Sequence, residues 1–239
     1  MTEAFYRFSP TLGWLTHLWK SSTRQDHAHW RPVLDRIIPK DGVVLDVGAH
    51  GGQFTRLLSG LVPAGLVVAV EPSSYARSIL RPTLWIRGIS NVLVVAAALG
   101  SQDGMAMLRT PIKRRRDMGY GLANIVAIAT PGVVEPVPVT TVDALVSAID
   151  LSRLDFMKAD IEGYEAAMLS GAKESLIRYR PALLLEHDVH HLVRAGSSLD
   201  KMWAELVALG YRPHRLAGGR LCEVAANQPQ EGDLLWLAN

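Results

Sequence analysis

Residues 43–58 read "VVLDVGAHGGQFTRLL", and the fold turns on them. A β-branched apolar run stops at Asp46, a glycine-rich turn follows, and a helical pattern starts at Gln53. Gly48 suits a positive φ or a close approach of the backbone to a ligand. Gly52 allows tight packing of helix on strand. The helix start offers free N–H groups and partial positive charge. A dinucleotide fingerprint placed at Gly48 requires glycine at position 50, and His50 stands there.

Outward from this turn, strands and helices alternate. Val43–Val47 and Leu66–Val70 are predicted strands, as is Val92–Ala97. Gln53–Leu61 and the segment after "EPSSYARSIL" are predicted helices. Thr141–Ile149 is helical, "LDFMKAD" (154–160) a strand, Glu165–Tyr179 a helix and "PALLLEH" (181–187) a strand. Ser198–Leu209 is helical, and "RPHRL" and "DLLWLA" are two closing strands. This alternation predicts an α/β fold, a mostly parallel sheet with helices on both faces. Ligands of such sheets sit at the carboxyl ends of the strands.

Residues 1–40 form an aromatic-rich, helical N-terminal extension, and residues 41–239 the main domain. Trp14, Leu15, Leu18 and Trp19 fall at helical spacing, and the extension is a candidate lid or homodimer contact. Gly100–Pro138 reads as irregular and is the expected source of acceptor contacts.

Composition narrows the classes. The chain has 239 residues, 49% hydrophobic, with a net charge of +2. That balance supplies a large core but no general basic field for nucleic acid. The single cysteine, Cys222, excludes an internal disulfide and suits a reducing cytoplasm. The longest clean apolar run, "VLVVAAAL", is far short of a bilayer span of ~20 residues, so no membrane insertion is expected.

Several side chains fall at strand ends. Glu71, in "VVAVEP" before Pro72, follows Asp46 by the interval at which a carboxylate accepts ribose hydroxyls. Ala97 and Ala98 leave room for a flat ring. Lys158, Asp160 and Glu162 converge at the end of the "LDFMKAD" strand. Glu186 and His187 end the next strand and are expected at the same edge. Asp103 reads as a turn residue.

The ordered pieces "DVGAHGGQFT", "VVAVEP", "NVLVVAAALGSQDG", "VPVTTVDAL", "FMKADIEGYEAAMLSGA" and "RPALLLEH" resemble the FkbM-type S-adenosylmethionine-dependent methyltransferases. The Lys158-x-Asp160-x-Glu162-Gly163-x-Glu165 run is the most specific of them. His50 departs from the asparagine common in that family. The resemblance implies a Rossmann-like class I methyltransferase fold with a seven-stranded sheet, and S-adenosyl-L-methionine as cofactor. It places the cofactor on Asp46, Gly48, Ala49, His50, Gly52, Glu71, Pro72, Ala97, Ala98 and Asp160. It implies O-methylation of a hydroxyl on a small molecule, a sugar or glycoside or a polyketide-type product. Asp160 or His187 is the candidate base, with Glu162 and Glu186 as orienting groups. The same Asp/Glu/His cluster is an alternative site for Mg2+. "KRRR", Lys113–Arg116, offers phosphate contacts to an RNA or a nucleotide-linked sugar as an alternative acceptor. A nicotinamide-dependent oxidoreductase shares the fold but lacks its fingerprint here.

Overall fold

The computed structural model describes residues 4–5, 11–111 and 132–239. The basic run Lys113–Arg116 lies outside the described residues. In chain order, β1 (Ala4–Phe5), α1 (Leu12–Thr23) and α2 (Arg31–Ile37) come first, with a 3-10 turn at Ala28–Trp30 before α2. Two strand–helix units follow, β2 (Val43–Val47) with α3 (Gln53–Leu61) and β3 (Leu66–Val70) with α4 (Ser74–Ile86). β4 (Val92–Val95), β5 (Ala98–Leu99), β6 (Gly104–Pro111) and β7 (Gly132–Thr140) come next. The chain continues through α5 (Val142–Ala148), β8 (Phe156–Ala159), α6 (Glu165–Ser170), α7 (Lys173–Tyr179) and β9 (Ala182–His187). It closes with α8 (Val189–Arg194), α9 (Leu199–Ala208), β10 (Tyr211–Ala217), β11 (Arg220–Glu223) and β12 (Gly232–Ala238).

The main sheet has the order β11-β10-β12-β9-β8-β2-β3-β4. The five strands from β9 to β4 run parallel, while β12, β10 and β11 are added antiparallel. β2 lies between β3 and β8, so the strand order reverses at the β2–β8 boundary, where open α/β sheets place their ligands. Eight strands stand where seven were expected. The extra one, β11, is turned back from β10 through Gly218 and Gly219, both at positive φ.

Alternation along each strand divides the core into two halves. Val44, Val67, Phe156 and Leu184 pack against α2 and α3 through Leu34, Phe54, Leu57, Leu58 and Leu61. Their neighbours Leu45, Val47, Val68, Met157, Leu183 and Leu185 pack on the other face with Val142, Met168, Leu176, Met202, Trp203 and Leu206. Each buried leucine contributes ~1.5–3 kcal/mol relative to exposure. Polar residues near the strand ends inherit these faces.

Three predicted elements change. Val92–Ala97 is a strand only to Val95. The chain then crosses to a second sheet, where β7 pairs with β6 antiparallel and with β1 and β5 parallel. Gly100–Pro138 is therefore not irregular throughout, since β6 and most of β7 lie in it. Glu165–Tyr179 is two helices. A Cβ at Gly171, between them, would lie 2.2 Å from the Gly100 carbonyl oxygen, so the chain must bend without a side chain there. Within residues 11–40 the extension carries the helices α1 and α2. α1 docks on α4 through hydrogen bonds from the Trp14 indole to Ser78 and between His17 Nδ1 and the Tyr75 hydroxyl.

Candidate active site

The turn after β2 is built by backbone requirements. Gly48 has φ +76°, and a Cβ there would meet the Asp160 carbonyl oxygen at 2.2 Å. Gly52 has φ +89°, and its Cβ would meet Leu80 at 2.5 Å. His50 also lies at positive φ (48°), a region that asparagine and histidine tolerate better than most residues. The N–H groups of Gly48 and Ala49 both donate to the Val70 carbonyl, which fastens the turn to the end of β3.

Glu71 braces the same turn. One carboxylate oxygen accepts from the His50 N–H at 2.7 Å and the other from the Ser73 N–H at 2.8 Å. Each oxygen keeps a lone pair for a further donor. Glu71 and Pro72 border an open groove together with Gly48, His50, Ala97, Ala98, Leu99, Leu108, Asp160, Ile161, Glu162 and Tyr164. Glu71 and Asp160 thus face one space. Ala97 and Ala98 line it with small side chains.

Lys158 is the electrostatic hub. Its ammonium lies 3.7 Å from Asp46 Oδ1, 3.5 Å from Asp160 Oδ2 and 3.3 Å from the Gly48 carbonyl oxygen, above the Phe54 ring. Burial pulls its pKa down, but Asp160 and Asp46 outweigh burial and leave it raised. Reciprocally, Lys158 holds the Asp160 carboxyl below its ordinary range. Asp46 is fully buried and accepts from Thr55 Oγ1 at 2.6 Å, so it anchors the turn from beneath. Ala49 is buried under the turn as well.

Glu162 and Gly163 both take positive φ, +58° and +102°. A Cβ at Gly163 would lie 2.2 Å from the His191 carbonyl oxygen, so the turn packs directly on α8. The Glu162 carboxylate lies 3.3 Å from His191 Nε2 and 3.5 Å from the Arg194 guanidinium. Left-handed residues other than glycine cost ~1–3 kcal/mol and cluster at working sites. Glu165 is buried and accepts from the Ile161 N–H at 2.8 Å; burial raises its carboxyl to about 7.

His187 is not at this edge. Consecutive strand residues face opposite sides of a sheet, so Glu186 joins the face of Lys158 while His187 joins the opposite core. There it stacks on Trp236 at 5.8 Å and meets Trp203 at 6.0 Å. The Trp236 indole can only donate, so it donates to His187 Nε2 at 3.3 Å, and Nδ1–H then donates to the Leu185 carbonyl. Burial lowers its pKa to about 4, leaving a neutral structural histidine. It is withdrawn as a candidate base. Among the described residues, no group of three or more His, Cys, Asp or Glu side chains is spaced to hold a metal ion.

Sequence reasoning missed the other side of the site. A second cleft is bordered by His27 and Trp30 from the N-terminal extension, Phe54, Lys158, Asp160, Glu186 and Asp233. Asp160 borders both cavities. The aromatic cluster at residues 1–30 was the available signal, but periodicity alone does not say which surface a segment covers. Asp188 caps α8 by accepting from the His191 N–H.

Known proteins place this arrangement. The structure superposes on the methyltransferase FkbM from Methylobacillus flagellatus with a TM-score of 0.54 and 14% identity, over 93% of this chain and 58% of that one. It also superposes on the O-methyltransferase from Bacillus cereus in complex with SAH with a TM-score of 0.54 and 12% identity, over 97% and 93% of the two chains. This chain therefore spans little more than half the length of the first of these proteins. No curated protein sequence matches it significantly. At these identities the superpositions establish a class I methyltransferase fold. The family follows from the sequence itself, since the profile described as Methyltransferase FkbM domain matches residues 46–213, more than half of the 239. The chain belongs to the FkbM methyltransferase family.

Proposed function

We propose that the protein is an S-adenosylmethionine-dependent O-methyltransferase acting on a hydroxyl of a small molecule, a sugar or glycoside or a polyketide-type product. The observation that carries the reading is the position of Asp160, which borders both the Glu71–Ala98 groove and the cleft under the N-terminal extension. A methyl donor in the first and an acceptor in the second would meet at this carboxylate.

The groove suits the donor in shape and chemistry. Gly48 borders it without a side chain, Glu71 has lone pairs free for ribose hydroxyls, and Ala97, Ala98, Leu99 and Leu108 offer apolar walls for a flat base. Pro72 and His50 extend the same lining, while Asp46, Ala49 and Gly52 act from below by fixing the turn. When bound, S-adenosylmethionine supplies a methyl group already activated by its sulfonium.

The chain's residues then have two tasks. The acceptor oxygen must be held in line, within ~3–3.5 Å of the methyl carbon. The hydroxyl proton must leave as the oxygen–carbon bond forms. Asp160 takes that proton in this reading. Lys158 keeps it ionised beforehand, at the cost of some basicity. Glu186 and Glu162 orient the acceptor from the same edge.

Titration of the full chain with S-adenosylmethionine and with NAD tests the donor. S-adenosylhomocysteine release in the presence of sugars, nucleotide sugars and macrolides tests the acceptor. Heat with NAD and none with the sulfonium compound would end the proposal.

A further inference from the structure

Helix α1 turns its apolar residues outward. It buries Ser21 and Ser22, while Leu12 is 84% exposed, Trp19 59% exposed and Leu15 exposed between them. These three stand at i, i+3 and i+7 and form one stripe along the helix. The other side of α1 is fastened to α4 by polar contacts, from the Trp14 indole to Ser78 and between His17 Nδ1 and the Tyr75 hydroxyl. Those two contacts make the helices antiparallel, so the start of α1 points toward the end of α4. Trp85 lies seven residues beyond Ser78, on the same face of α4. It is 83% exposed, and Ile86 beside it is exposed as well. The apolar patch therefore runs from Trp19 past Leu12 toward Trp85. Patches of this kind mark a surface that something else covers.

Charge on this side has one sign. Residues 11–25 and 72–102 contain no Asp or Glu. They supply Lys20, Arg24, Arg77, Arg81 and Arg87, and an arginine stands at the C-cap of each helix. Arg77 turns inward onto the Glu71 and Pro72 carbonyls. Lys20, Arg24, Arg81 and Arg87 are exposed around the apolar stripe. Arg81 precedes Trp85 by one helical turn, and Lys20 adjoins Trp19. The whole chain carries only +2, so cations gather here while acids lie elsewhere.

The two features together select the partner. An RNA duplex offers anions but nothing for Leu12, Leu15 and Trp19 to enter. A bilayer with anionic lipid offers both, headgroup charge for the cations and an acyl boundary for the stripe. Tryptophan suits that boundary, its rings on the apolar side and its N–H among the headgroups. No described helix is long and apolar enough to cross a membrane. A helix of 12 residues lies along the surface instead.

We propose that the outer face of α1, with the Trp85 end of α4, seats the protein on an anionic lipid surface. Leu12, Leu15, Trp19 and Trp85 enter the boundary between headgroups and acyl chains, and Lys20, Arg24, Arg81 and Arg87 meet the headgroups. Such seating is independent of the reaction and of what the groove beside Glu71 binds.

The test sediments the full chain with phosphatidylcholine vesicles and with vesicles in which about 30% of the lipid is phosphatidylglycerol. Binding to the anionic vesicles is expected to be at least about tenfold tighter, and to weaken severalfold at about 0.5 M salt. Lys20→Glu with Arg81→Glu is expected to weaken it at least about tenfold, and Leu15→Ser with Trp19→Ser by a similar factor. All four positions are exposed, so the melting temperatures are expected to stay within about 2 °C of wild type. Brominated phosphatidylglycerol reads the unmodified chain directly. Of the six tryptophans only Trp19 and Trp85 are exposed, so quenching on anionic vesicles is expected, and Trp19→Phe with Trp85→Phe is expected to remove it. Absence of binding, equal binding to both vesicles, or an anionic-vesicle affinity unchanged in either charge or apolar double variant overturns the proposal. Where vesicles fail, retention on an RNA duplex, or a dimer in sedimentation velocity that Leu15→Ser with Trp19→Ser dissolves, names nucleic acid or a second copy as the occupant instead.

Discussion

Asp46 and Lys158 are register partners on the parallel strands β2 and β8, with the ammonium 3.7 Å from a fully buried carboxylate. Neither charge is sheltered without the other. Lys158→Met strands Asp46 in the core and withdraws the charge that holds Asp160 ionised. Breaking a buried pair from one side costs ~3–5 kcal/mol, so the melting temperature is expected to fall by roughly 10 °C. Calorimetry of the variant checks it, and a shift under 2 °C would show that the pair does not anchor the turn.

Gly48→Ala tests the backbone requirement of the turn. The new methyl meets the Asp160 carbonyl at 2.2 Å and sits at positive φ. Loss of S-adenosylmethionine binding is expected, with at least ~1 kcal/mol of stability lost as well. Gly104→Ala is the control, since a Cβ there meets nothing within 4 Å and its φ is not in the left-handed region.

Asp160→Asn separates chemistry from binding. The amide keeps the shape but cannot take a proton, so kcat is expected to drop ~10²–10⁴-fold while cofactor affinity changes only a few-fold. Turnover close to wild type sinks the assignment of the base.

Stability is expected to fall as pH rises above about 6.5. Glu165 and Glu186 have folded pKa values raised to about 7 and about 8 from 4.5, so the folded chain binds protons the unfolded chain releases. Their contribution is complete below about pH 4.5 and disappears as pH passes through about 7 and 8. His187, lowered to about 4, acts in the opposite sense and only below 6.5. Between pH 6.5 and 8 the two glutamates therefore dominate. Glu186→Gln should flatten the melting curve against pH in that window, and a slope identical to wild type refutes the shift.

His187→Gln is expected to lower the melting temperature, because it breaks the Trp236–His187–Leu185 hydrogen-bond chain. It should leave the pH profile of kcat in place. A displaced profile would restore the residue to the chemistry.

Much of the sheet around the glycine turn was legible in sequence. Val43–Val47, Gln53–Leu61 and Leu66–Val70 have the boundaries their β-branched runs and glycines imply. Glu71 and Asp160 could be placed because each directly follows such a run. β7 was hidden by Pro136 and Pro138, which argue against a strand when read singly. At alternate positions their nitrogens face one edge, which a strand tolerates. His187 was misplaced although the rule was available: it follows Glu186 by one residue and must face the other way. The His27–Trp30 wall and the cross-strand neighbours Glu186 and Asp233 depend on contacts between distant segments, for which a single sequence carries no period or motif.

His27 and Asp233 meet in one cleft although they flank the family-matched segment on opposite sides. Residues from both flanks of the matched segment thus close one cavity around Asp160, which lies inside that segment. Exchanging either flank would therefore reshape that cavity's wall while leaving the Lys158–Asp160 edge, which the central segment supplies, in place.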